Sequence, residues 1–356
     1  MKIKAAIKTY EVCFEDNLNF LDELAKTQNA FFVVDSRVWE LYTEELSSIP
    51  QESLYFIDAM EENKVIETAL AICEAMVKMN AKRNAKLVSL GGGITQDITG
   101  FAANILYRGI SWIFVPTTLL AACDSCIGGK TSLNYKSYKN LLGTFYPPDQ
   151  IYICPQFFRT LSKNDLESGL GEIIKFNVMG GKRTLASIES SLPKLLSLDP
   201  AIVNEFVHNA LNYKKGIIEQ DEFDDGVRVL LNFAHTFGHA FEVSSNYTIP
   251  HGSAVALGMI SANAVSKSRG MLDPDLDKRI RELVLQIMPN YSPELIKDEV
   301  VIKAIKKDKK QVGAQLTAVL LDNSLNLHVV HDMTVQEVED ACEAARSFLE
   351  IIGKEQ

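Results

Sequence analysis

The 356-residue chain is short of positive charge, with 36 lysines and arginines against 46 aspartates and glutamates. The formal net charge of −10 argues against non-specific nucleic-acid binding, because such a protein needs a basic surface that displaces counterions from phosphates. A phosphorylated small molecule is not excluded, since it needs only a local group of cations. One basic run fits either such a group or an ordinary solvated face: Lys306, Lys307, Lys309 and Lys310.

The sequence also lacks long hydrophobic stretches and dense cysteines. Its first residues, MKIKAAIKTYEVCFED, are interrupted by charge too early for the apolar core of a signal peptide, and no later segment is long enough for a membrane helix. We therefore expect a cytoplasmic protein. Six cysteines spread over this length do not form a secreted disulfide framework, so free thiols are expected.

Two familiar phosphate-binding signatures are absent. Residues 124–131 lack the first glycine that a P-loop requires before its Gly-Lys pair. Residues 91–97, GGGITQD, follow an apolar run but do not match GxGxxG, and they fit either a tight turn or a phosphate-binding loop. Cys123 and Cys126 form a lone CxxC, which we interpret as two buried thiols because neither a redox context nor further zinc ligands accompany it.

The first part of the chain alternates short apolar runs with longer segments of helical period. This alternation indicates βαβ units around a mainly parallel sheet. We predict strands at residues 31–36, 85–90 and 110–118, and helices at residues 64–80 and 97–108.

From residue 161 onward the apolar pattern is mostly helical. An exception is residues 313–330, whose two Leu-, Thr- and Val-rich halves flank Asp322-Asn323-Ser324 and predict a β-hairpin. Because the length favours two domains, we predict an α/β domain over residues 1–160 and a mainly α-helical domain over residues 161–356. Helices are predicted at residues 161–179, 200–221, 227–245, 252–272 and 335–352.

Histidines in the second part suggest a metal site. His235 and His239 are four residues apart, hence on one helix face, and His251 follows. Glu172 lies on a separate predicted helix, with Lys175 one turn later. Three nitrogen or oxygen ligands with an open position are what a catalytic divalent ion needs. Packed or hydrogen-bonded histidines are the alternative interpretation.

These features occur in the order and approximate spacing of the dehydroquinate synthase family of sugar-phosphate cyclases. The similarity is strongest over residues 90–175 and 214–259. The segments that carry it are LYRGISWIFVPTTLLAACDSCIGGKTSLNYKSYKNLLGTFYPP, ESGLGEIIKFNVM, VRVLLNFAHTFGHAFE and PHGSAVALGM. The resemblance implies a Rossmann-like NAD-binding domain followed by a helical domain that binds metal and substrate.

The activity that the resemblance implies is an NAD- and divalent-metal-dependent carbon–oxygen lyase of the shikimate pathway. It converts 3-deoxy-arabino-heptulosonate 7-phosphate to 3-dehydroquinate and phosphate. A hydroxyl is transiently oxidised, phosphate leaves by β-elimination, hydride returns, and the opened ring closes by an intramolecular aldol step. The metal would be zinc, with cobalt as an alternative, and the enzyme a homodimer.

The resemblance also assigns residues. The metal ligands would be Glu172, His235 and His251. The cofactor residues would be Asp35, Glu61, Lys64, Gly91, Gly92, Gly93, Ile94, Thr95, Gln96, Asp97, Thr117, Thr118, Lys130, Lys139 and Thr160. The substrate residues would be Arg108, Asp124, Lys130, Asn140, Lys175, Lys214, Arg228, Asn232, His239 and Lys309. The catalytic set would be Lys130, Glu172, Lys175, Asn232 and His239, with His239 moving protons and Arg108 reaching across a dimer interface.

Three positions depart from the family's common pattern. Ser253 replaces the glutamate of an HGE motif, Gln96 replaces a glycine of GGGxxGD, and Asp224 stands where glutamate is frequent. Ser253 removes a carboxylate close to a proposed metal ligand, so metal preference or substrate scope is open to change.

Substrate choice within the superfamily depends on cations. Arg228 with Lys214 favours a substrate that bears a carboxylate, which a guanidinium can bind through two hydrogen bonds. The alternatives are a secondary-metabolism cyclase of another sugar phosphate and a metal-dependent NAD polyol or alcohol dehydrogenase. Four lysines argue against the dehydrogenase because an uncharged polyol does not neutralise them: Lys130, Lys139, Lys175 and Lys214.

Overall fold

A computed structural model describes residues 1–136, 138–307 and 316–355, and the chain divides into two compact units. Unit 1 consists of Met1–Leu161 and Lys215–Phe223, and unit 2 consists of Ser162–Lys214 and Asp224–Gln356. None of the helices in the described ranges has the length and apolar character needed to cross a membrane.

The strands of unit 1 are β1 (Lys2–Lys4), β2 (Thr9–Phe14), β3 (Ala30–Asp35), β4 (Leu54–Ile57), β5 (Lys86–Gly91), β6 (Ser111–Pro116), β7 (Lys130–Tyr135), β8 (Tyr138–Phe145) and β9 (Gln150–Ile153). Strands β7 and β8 form a separate hairpin, and the others form a seven-stranded sheet in the order β1-β2-β9-β6-β5-β3-β4, in which only β1 and β2 pair antiparallel. The central strands are almost fully buried, as expected for a parallel sheet covered on both faces.

The α-helices of the first 161 residues are α1 (Phe20–Ala25), α2 (Ser36–Leu41), α3 (Ile66–Lys78) and α4 (Gly93–Ile105). The predicted α/β class with a parallel sheet is confirmed, and the predicted strands correspond to β3, β5 and β6. The β7-β8 hairpin was not predicted from the sequence. The hairpin lies in a region that mixes charged and aromatic residues, and most residues of β8 are exposed.

Unit 2 is mainly helical. Its helices are α5 (Lys163–Met179), α6 (Lys182–Leu196), α7 (Pro200–Ile218, which continues into unit 1), α8 (His235–Ser244), α9 (His251–Ser268), α10 (Pro274–Ile287), α11 (Asp298–Lys307) and α12 (Val335–Glu355). The predicted late hairpin is present as β10 (Leu316–Leu321) and β11 (Leu327–Met333), which pair antiparallel. Residues 313–315 of that prediction lie outside the described residues.

The predicted helix over residues 227–245 is wrong in its first half. A 3₁₀ turn occupies Val227–Asn232, and α8 begins only at His235 after Ala234, whose φ is +68°. The neighbouring α9 approaches closely here, since a Cβ on Gly258 would lie 2.2 Å from the Ala234 carbonyl oxygen. An apolar period does not reveal such a break, because the core-facing positions continue across it.

Helices α5 and α9 cross with their backbones in contact. A Cβ on Gly252 would lie 1.7 Å from the Ser168 carbonyl oxygen, and one on Gly171 would lie 2.1 Å from the Gly252 carbonyl oxygen. Gly252 N also donates to Ser168 Oγ at 3.0 Å. Side chains at these two glycines would force the helices apart, so the crossing requires them and brings Glu172 beside His251.

Candidate active site

The nominated metal residues of unit 2 lie together. One ring nitrogen from each of His235, His239 and His251 falls within 4.8 Å of the others. Glu172 Oε1 lies 3.4 Å from His235 Nε2 and 3.5 Å from His251 Nε2. We refer to Glu172, His235, His239 and His251 as the histidine cluster. It combines one oxygen donor with three nitrogen donors from helices α5, α8 and α9.

The Glu172 carboxylate provides a test of whether a metal fits. Its side chain is fully buried, and neither oxygen accepts a hydrogen bond of acceptable geometry from the described residues, although Lys175 Nζ is 2.6 Å from Oε2. The Lys175 ammonium compensates the buried charge on the Oε2 side, whereas Oε1 faces only the imidazoles of His235 and His251. Imidazole and carboxylate donors in this number suit zinc or a similar divalent ion. The residues therefore fit such a metal.

Two groups of the cluster have pKa values that favour ligation. Burial alone would raise the pKa of Glu172, but the Lys175 ammonium and His251 lower it to about 2. Burial and the charges of Lys175, His239 and His251 lower the pKa of His235 well below its usual value. Glu172 is therefore ionised and His235 neutral near pH 7, which are the forms that bind metal ions.

A further carboxylate, Glu242, was missed in the sequence. Its Oε2 accepts a hydrogen bond from His251 Nδ1 at 3.1 Å, while His235 Nδ1 donates to the Phe233 carbonyl at 3.1 Å. Both rings thereby turn Nε2 toward Glu172. Burial lowers the pKa of His251, but the Glu172 and Glu242 carboxylates outweigh this and raise it to about 10, so His251 would release a proton on binding a metal. The spacing of Glu242, seven residues after His235 on one helix face, would have revealed it.

Four more nominated residues lie in unit 2. Lys175 is 1% exposed, and its Nζ also lies 3.5 Å from the Leu231 carbonyl oxygen. Lys214 and Arg228 are 6% and 4% exposed, and buried cations of this kind require anionic partners. Asn232 donates from Nδ2 to the Val229 carbonyl at 2.9 Å. Lys309, nominated for the substrate, lies outside the described residues.

The Ser253 position is also buried, at 2% exposure, and its Oγ makes no hydrogen bond of acceptable geometry with the described residues. Burial raises the pKa of nearby Tyr291, with the Ser253 hydroxyl lowering it and the Glu167 carboxylate raising it. Glu167 is itself buried, and burial raises its pKa despite Lys163. A carboxylate is thus still present in this part of unit 2, although Ser253 does not supply it.

In unit 1, the glycine-rich loop joins β5 to α4. A Cβ on Gly91 would lie 2.3 Å from Thr95 Oγ1, and one on Gly92 would lie 2.9 Å from Thr118 Cγ2, so packing requires both glycines. Gly93 has more room, with Ser125 Oγ at 3.7 Å. The N-terminus of α4 follows directly, and the first amide groups of a helix are suited to binding phosphate.

Gln96, which replaces a family glycine, has a structural role in this loop. Its Nε2 donates to the Ser125 carbonyl at 2.7 Å, and its Oε1 accepts from Ser125 Oγ at 2.7 Å. The side chain is 3% exposed. Two hydrogen bonds therefore tie the start of α4 to residues 121–125, the turn that also carries Asp124.

Several cofactor and substrate candidates of unit 1 share one network. Lys64 Nζ lies 2.5 Å from Asp97 Oδ2 and donates to Asn140 Oδ1 at 2.7 Å. Glu61 Oε1 accepts from Asn134 Nδ2 at 2.9 Å and lies 3.6 Å from Lys139 Nζ. The structure brings these residues together on the β7-β8 hairpin and the segments that face it.

The other candidates of unit 1 lie at element ends and turns. Asp35 ends β3 and caps α2 through Arg37 N, and Thr160 Oγ1 lies 2.8 Å from Tyr42 Oη. Ile94 and the buried Thr95 lie in the first turn of α4, and the buried Thr117 donates its N–H to the Gly91 carbonyl. Arg108 is exposed in a turn with a φ of +65°, and Lys130 Nζ lies 6.0 Å from the centre of the Phe145 ring.

The cysteines are free, and both Cys123 and Cys126 are buried. Within the described ranges, His235, His239 and His251 form the one group of three or more His, Cys, Asp or Glu residues with metal-binding spacing. The burial of both thiols was expected from the sequence.

Comparison with known proteins agrees with this arrangement. The chain matches the 3-dehydroquinate synthase N-terminal model over residues 54–168 and the 3-dehydroquinate synthase C-terminal model over residues 169–311. The 3-dehydroquinate synthase of Dictyoglomus thermophilum is 32% identical, with 96% of this chain and 94% of the relative covered.

Among solved structures, 2-epi-5-epi-valiolone synthase from Streptomyces hygroscopicus subsp. jinggangensis 5008, with NAD⁺ and Zn²⁺ bound, has a TM-score of 0.83 and 26% identity over 95% of this chain and 97% of that one. A 2-deoxy-scyllo-inosose synthase complexed with carbaglucose-6-phosphate, NAD⁺ and Co²⁺ shares the fold, with a TM-score of 0.81, 23% identity and coverage of 98% and 99%. The chain belongs to the 3-dehydroquinate synthase family.

Proposed function

We propose that this chain is a 3-dehydroquinate synthase-like lyase that uses NAD and a divalent metal to convert 3-deoxy-arabino-heptulosonate 7-phosphate to 3-dehydroquinate and phosphate. The observation that carries the proposal is the buried Glu172 carboxylate, whose Oε2 pairs with Lys175 while its Oε1 faces His235 and His251 at 3.4 and 3.5 Å. Together with family membership, this donor set supports metal-assisted chemistry.

Glu172, His235 and His251 would hold the metal, with zinc first and cobalt as the alternative. When bound, such an ion polarises a hydroxyl or carbonyl oxygen as a Lewis acid. Glu242 fixes the orientation of His251, and Lys175 keeps Glu172 ionised. His239, whose ring centre lies 5.2 Å from that of His235, would accept and return substrate protons as an imidazole can near neutral pH.

The cofactor would bind unit 1. The open N–H groups at the start of α4 suit a pyrophosphate, and Asp35 at the end of β3 suits a ribose hydroxyl. The chemistry is redox-neutral, because the hydride taken from the substrate in the first step is returned to the same molecule later. Net NADH therefore does not accumulate.

The substrate carboxylate would pair with Arg228 and Lys214, whose burial strengthens charge-assisted hydrogen bonds. The second candidate is a secondary-metabolism cyclase that acts on a sugar phosphate without a carboxylate. Its support is the TM-score of 0.83 to 2-epi-5-epi-valiolone synthase, together with the departure at Ser253. A homodimer to which Arg108 contributes and a cytoplasmic location remain parts of this proposal.

The test is to incubate the purified protein with NAD⁺, Zn²⁺ and each candidate sugar phosphate, and to measure phosphate release, product mass and NADH absorbance. We expect many turnovers of phosphate release on the carboxylated heptulosonate phosphate without net NADH. A preference for sedoheptulose 7-phosphate would support the second candidate. NADH formed in equal amount to product would identify a dehydrogenase and refute the lyase.

A further inference from the structure

The β7-β8 hairpin contains a bulge. Its strands pair up to Leu133 with Leu142 and again at Tyr135 with Tyr138, so Asn134 on β7 faces three residues on β8, numbers 139–141. Bulges of this kind redirect side chains and are frequent beside functional sites. Asn140, at the centre of the bulge, has a φ of +52°, a left-handed conformation that asparagine tolerates better than most residues.

Three hydrogen-bonding groups hold Asn140. Its N–H donates to Asn134 Oδ1 at 2.9 Å, which satisfies a backbone group that the bulge leaves without a strand partner. Its Oδ1 accepts from Lys64 Nζ at 2.7 Å and from Ser132 Oγ at 2.9 Å. Because an ammonium group only donates, the amide atom that faces Lys64 must be the oxygen. Nδ2 is therefore the donor end of this amide, and the residue as a whole is exposed.

The residues that hold Asn140 are themselves fixed. Lys64, 7% exposed, forms an ion pair with Asp97, and Ser132 N donates to Asp97 Oδ1 at 3.1 Å. Asn134 is 9% exposed and donates from Nδ2 to Glu61. We call Lys64, Asp97, Ser132, Asn134 and Asn140 the hairpin network. Lys64 and Asn134 are buried and Asn140 is exposed, so the network fixes an exposed side chain on buried partners.

We propose that Ser132 and Asn134 are positioning residues, which hold Asn140 so that its amide N–H groups are preset donors for the phosphate group of the substrate. This inference rests on the proposed function, in which Asn140 contacts the sugar phosphate. A donor fixed before binding loses less freedom when the anion arrives, so the network raises affinity for the phosphate. Neither Ser132 nor Asn134 needs to touch the substrate.

The main test is Ser132→Ala, which removes the hydroxyl that lies 2.9 Å from Asn140 Oδ1 and 3.1 Å from Asp97 Oδ2 and leaves the Ser132 N–H bond to Asp97. Loss of one hydrogen bond changes affinity by about 3- to 10-fold. We expect KM for the sugar phosphate to rise by that factor, with kcat within about twofold and NAD⁺ affinity by calorimetry unchanged. Ser132→Thr, which keeps the hydroxyl, should restore KM, and Asn134→Ala should raise it similarly.

Two further variants make the test decisive. Asn140→Gly removes the side chain but tolerates the left-handed backbone, and Ser132→Ala should add nothing to its effect on KM. Thr144→Val is the matched control, because it removes the 2.7 Å bond between the Thr131 and Thr144 hydroxyls in the same hairpin without touching the hairpin network. We expect it to leave KM unchanged.

Each other outcome refutes a defined part. If Asn140→Gly raises KM and Ser132→Ala does not, the positioning role is wrong while the proposed function stands. If Ser132→Ala and Thr144→Val raise KM equally, general weakening of the hairpin explains the effect and the inference fails. If Asn140→Gly leaves KM unchanged in an enzyme that releases phosphate, the inference fails together with the assignment of Asn140 to the substrate.

Discussion

The hairpin network of unit 1 and the histidine cluster of unit 2 are both groups of polar side chains with buried charges, but they differ in how their atoms are satisfied. In the hairpin network, the Lys64 ammonium meets the Asp97 carboxylate and an amide oxygen, and Ser132 completes the shell. In the histidine cluster, Lys175 Nζ lies 2.6 Å from Glu172 Oε2, whereas Glu172 Oε1 faces two imidazole rings at 3.4 and 3.5 Å without a hydrogen bond of acceptable geometry from the described residues.

This difference indicates different roles. A buried carboxylate without hydrogen bonds costs roughly 1–3 kcal/mol or more, so a fold keeps one where a ligand will satisfy it. A closed network offers no such vacancy and instead fixes the geometry of what surrounds it. Removing a ligand of the histidine cluster should therefore reduce metal binding, whereas breaking the Lys64–Asp97 ion pair of the hairpin network should mainly lower the free energy of unfolding.

The largest expected effect follows His251→Ala. Loss of this ligand should reduce bound metal to a minor fraction and lower kcat/KM by at least about 100-fold, more than the 10–100-fold typical of residues that only support a ligand. Metal content by mass spectrometry of the purified protein and steady-state rates measure this. Circular dichroism provides the folding control, since His251 is 31% exposed and its removal leaves no large cavity.

The stability response to metal sharpens this prediction. Added Zn²⁺ at about 100 times its Kd should stabilise the parent protein against urea by about 2.7 kcal/mol, and this gain should vanish in His251→Ala. Full metal occupancy in the variant, or an unchanged gain on adding Zn²⁺, would show that His251 is not a ligand.

The contrasting variant is Lys64→Met in the hairpin network. It leaves the mostly buried Asp97 carboxylate with the Ser132 N–H bond but without a cation, and breaking such a pair should lower the free energy of unfolding by about 2–4 kcal/mol. Urea unfolding measures the loss. Lys78→Met is the control, because Lys78 forms an exposed ion pair with Glu74 that contributes little.

If the two groups have different roles, Lys64→Met should lower the free energy of unfolding without added metal but keep the gain in that free energy when Zn²⁺ is added. Equal loss of stability in Lys64→Met and Lys78→Met would mean that the closed network does not stabilise the fold. Loss of the Zn²⁺ response in Lys64→Met would remove the distinction between the two groups.

The grouping of the histidine cluster could be predicted from the sequence better than the grouping of the hairpin network. His235 and His239 reveal their common face through a spacing of four, and the segment matches around Glu172 and His251 supplied the rest. The break at Ala234 did not disturb this, because both histidines lie after it in α8.

Of the hairpin network, only Lys64, Asp97 and Asn140 were nominated from the sequence, each as a separate residue, and Ser132 and Asn134 were not. Its bonds depend on a bulge in β8 and on a left-handed Asn140, and neither leaves a periodic pattern in the sequence. The side-chain role of Gln96 was also hidden, since its partner Ser125 is distant in sequence. Long-range polar contacts depend on tertiary structure, whereas ligand spacing on one helix is local.

The smallest expected effect concerns Glu242, which supports the histidine cluster without belonging to it. Glu242→Gln keeps an oxygen that can accept from His251 Nδ1 but removes the negative charge that strengthens the bond and makes the ring a better donor to a metal. Metal affinity should fall by about 10-fold, the low end for such supporting carboxylates. Competition with a chelating dye measures the Kd, and kcat at saturating metal should change little.

A graded series separates orientation from general electrostatics. Glu242→Ala, which removes the acceptor as well as the charge, should weaken metal binding more than Glu242→Gln does. Glu282→Gln, an exposed change of the same charge on α10, should leave Kd unchanged. Equal Kd values for Glu242→Gln and the parent would mean that the charge of Glu242 does not act on the metal through His251. Metal binding by the histidine cluster would then depend on its own four residues alone. In the hairpin network, by contrast, each member is held by another.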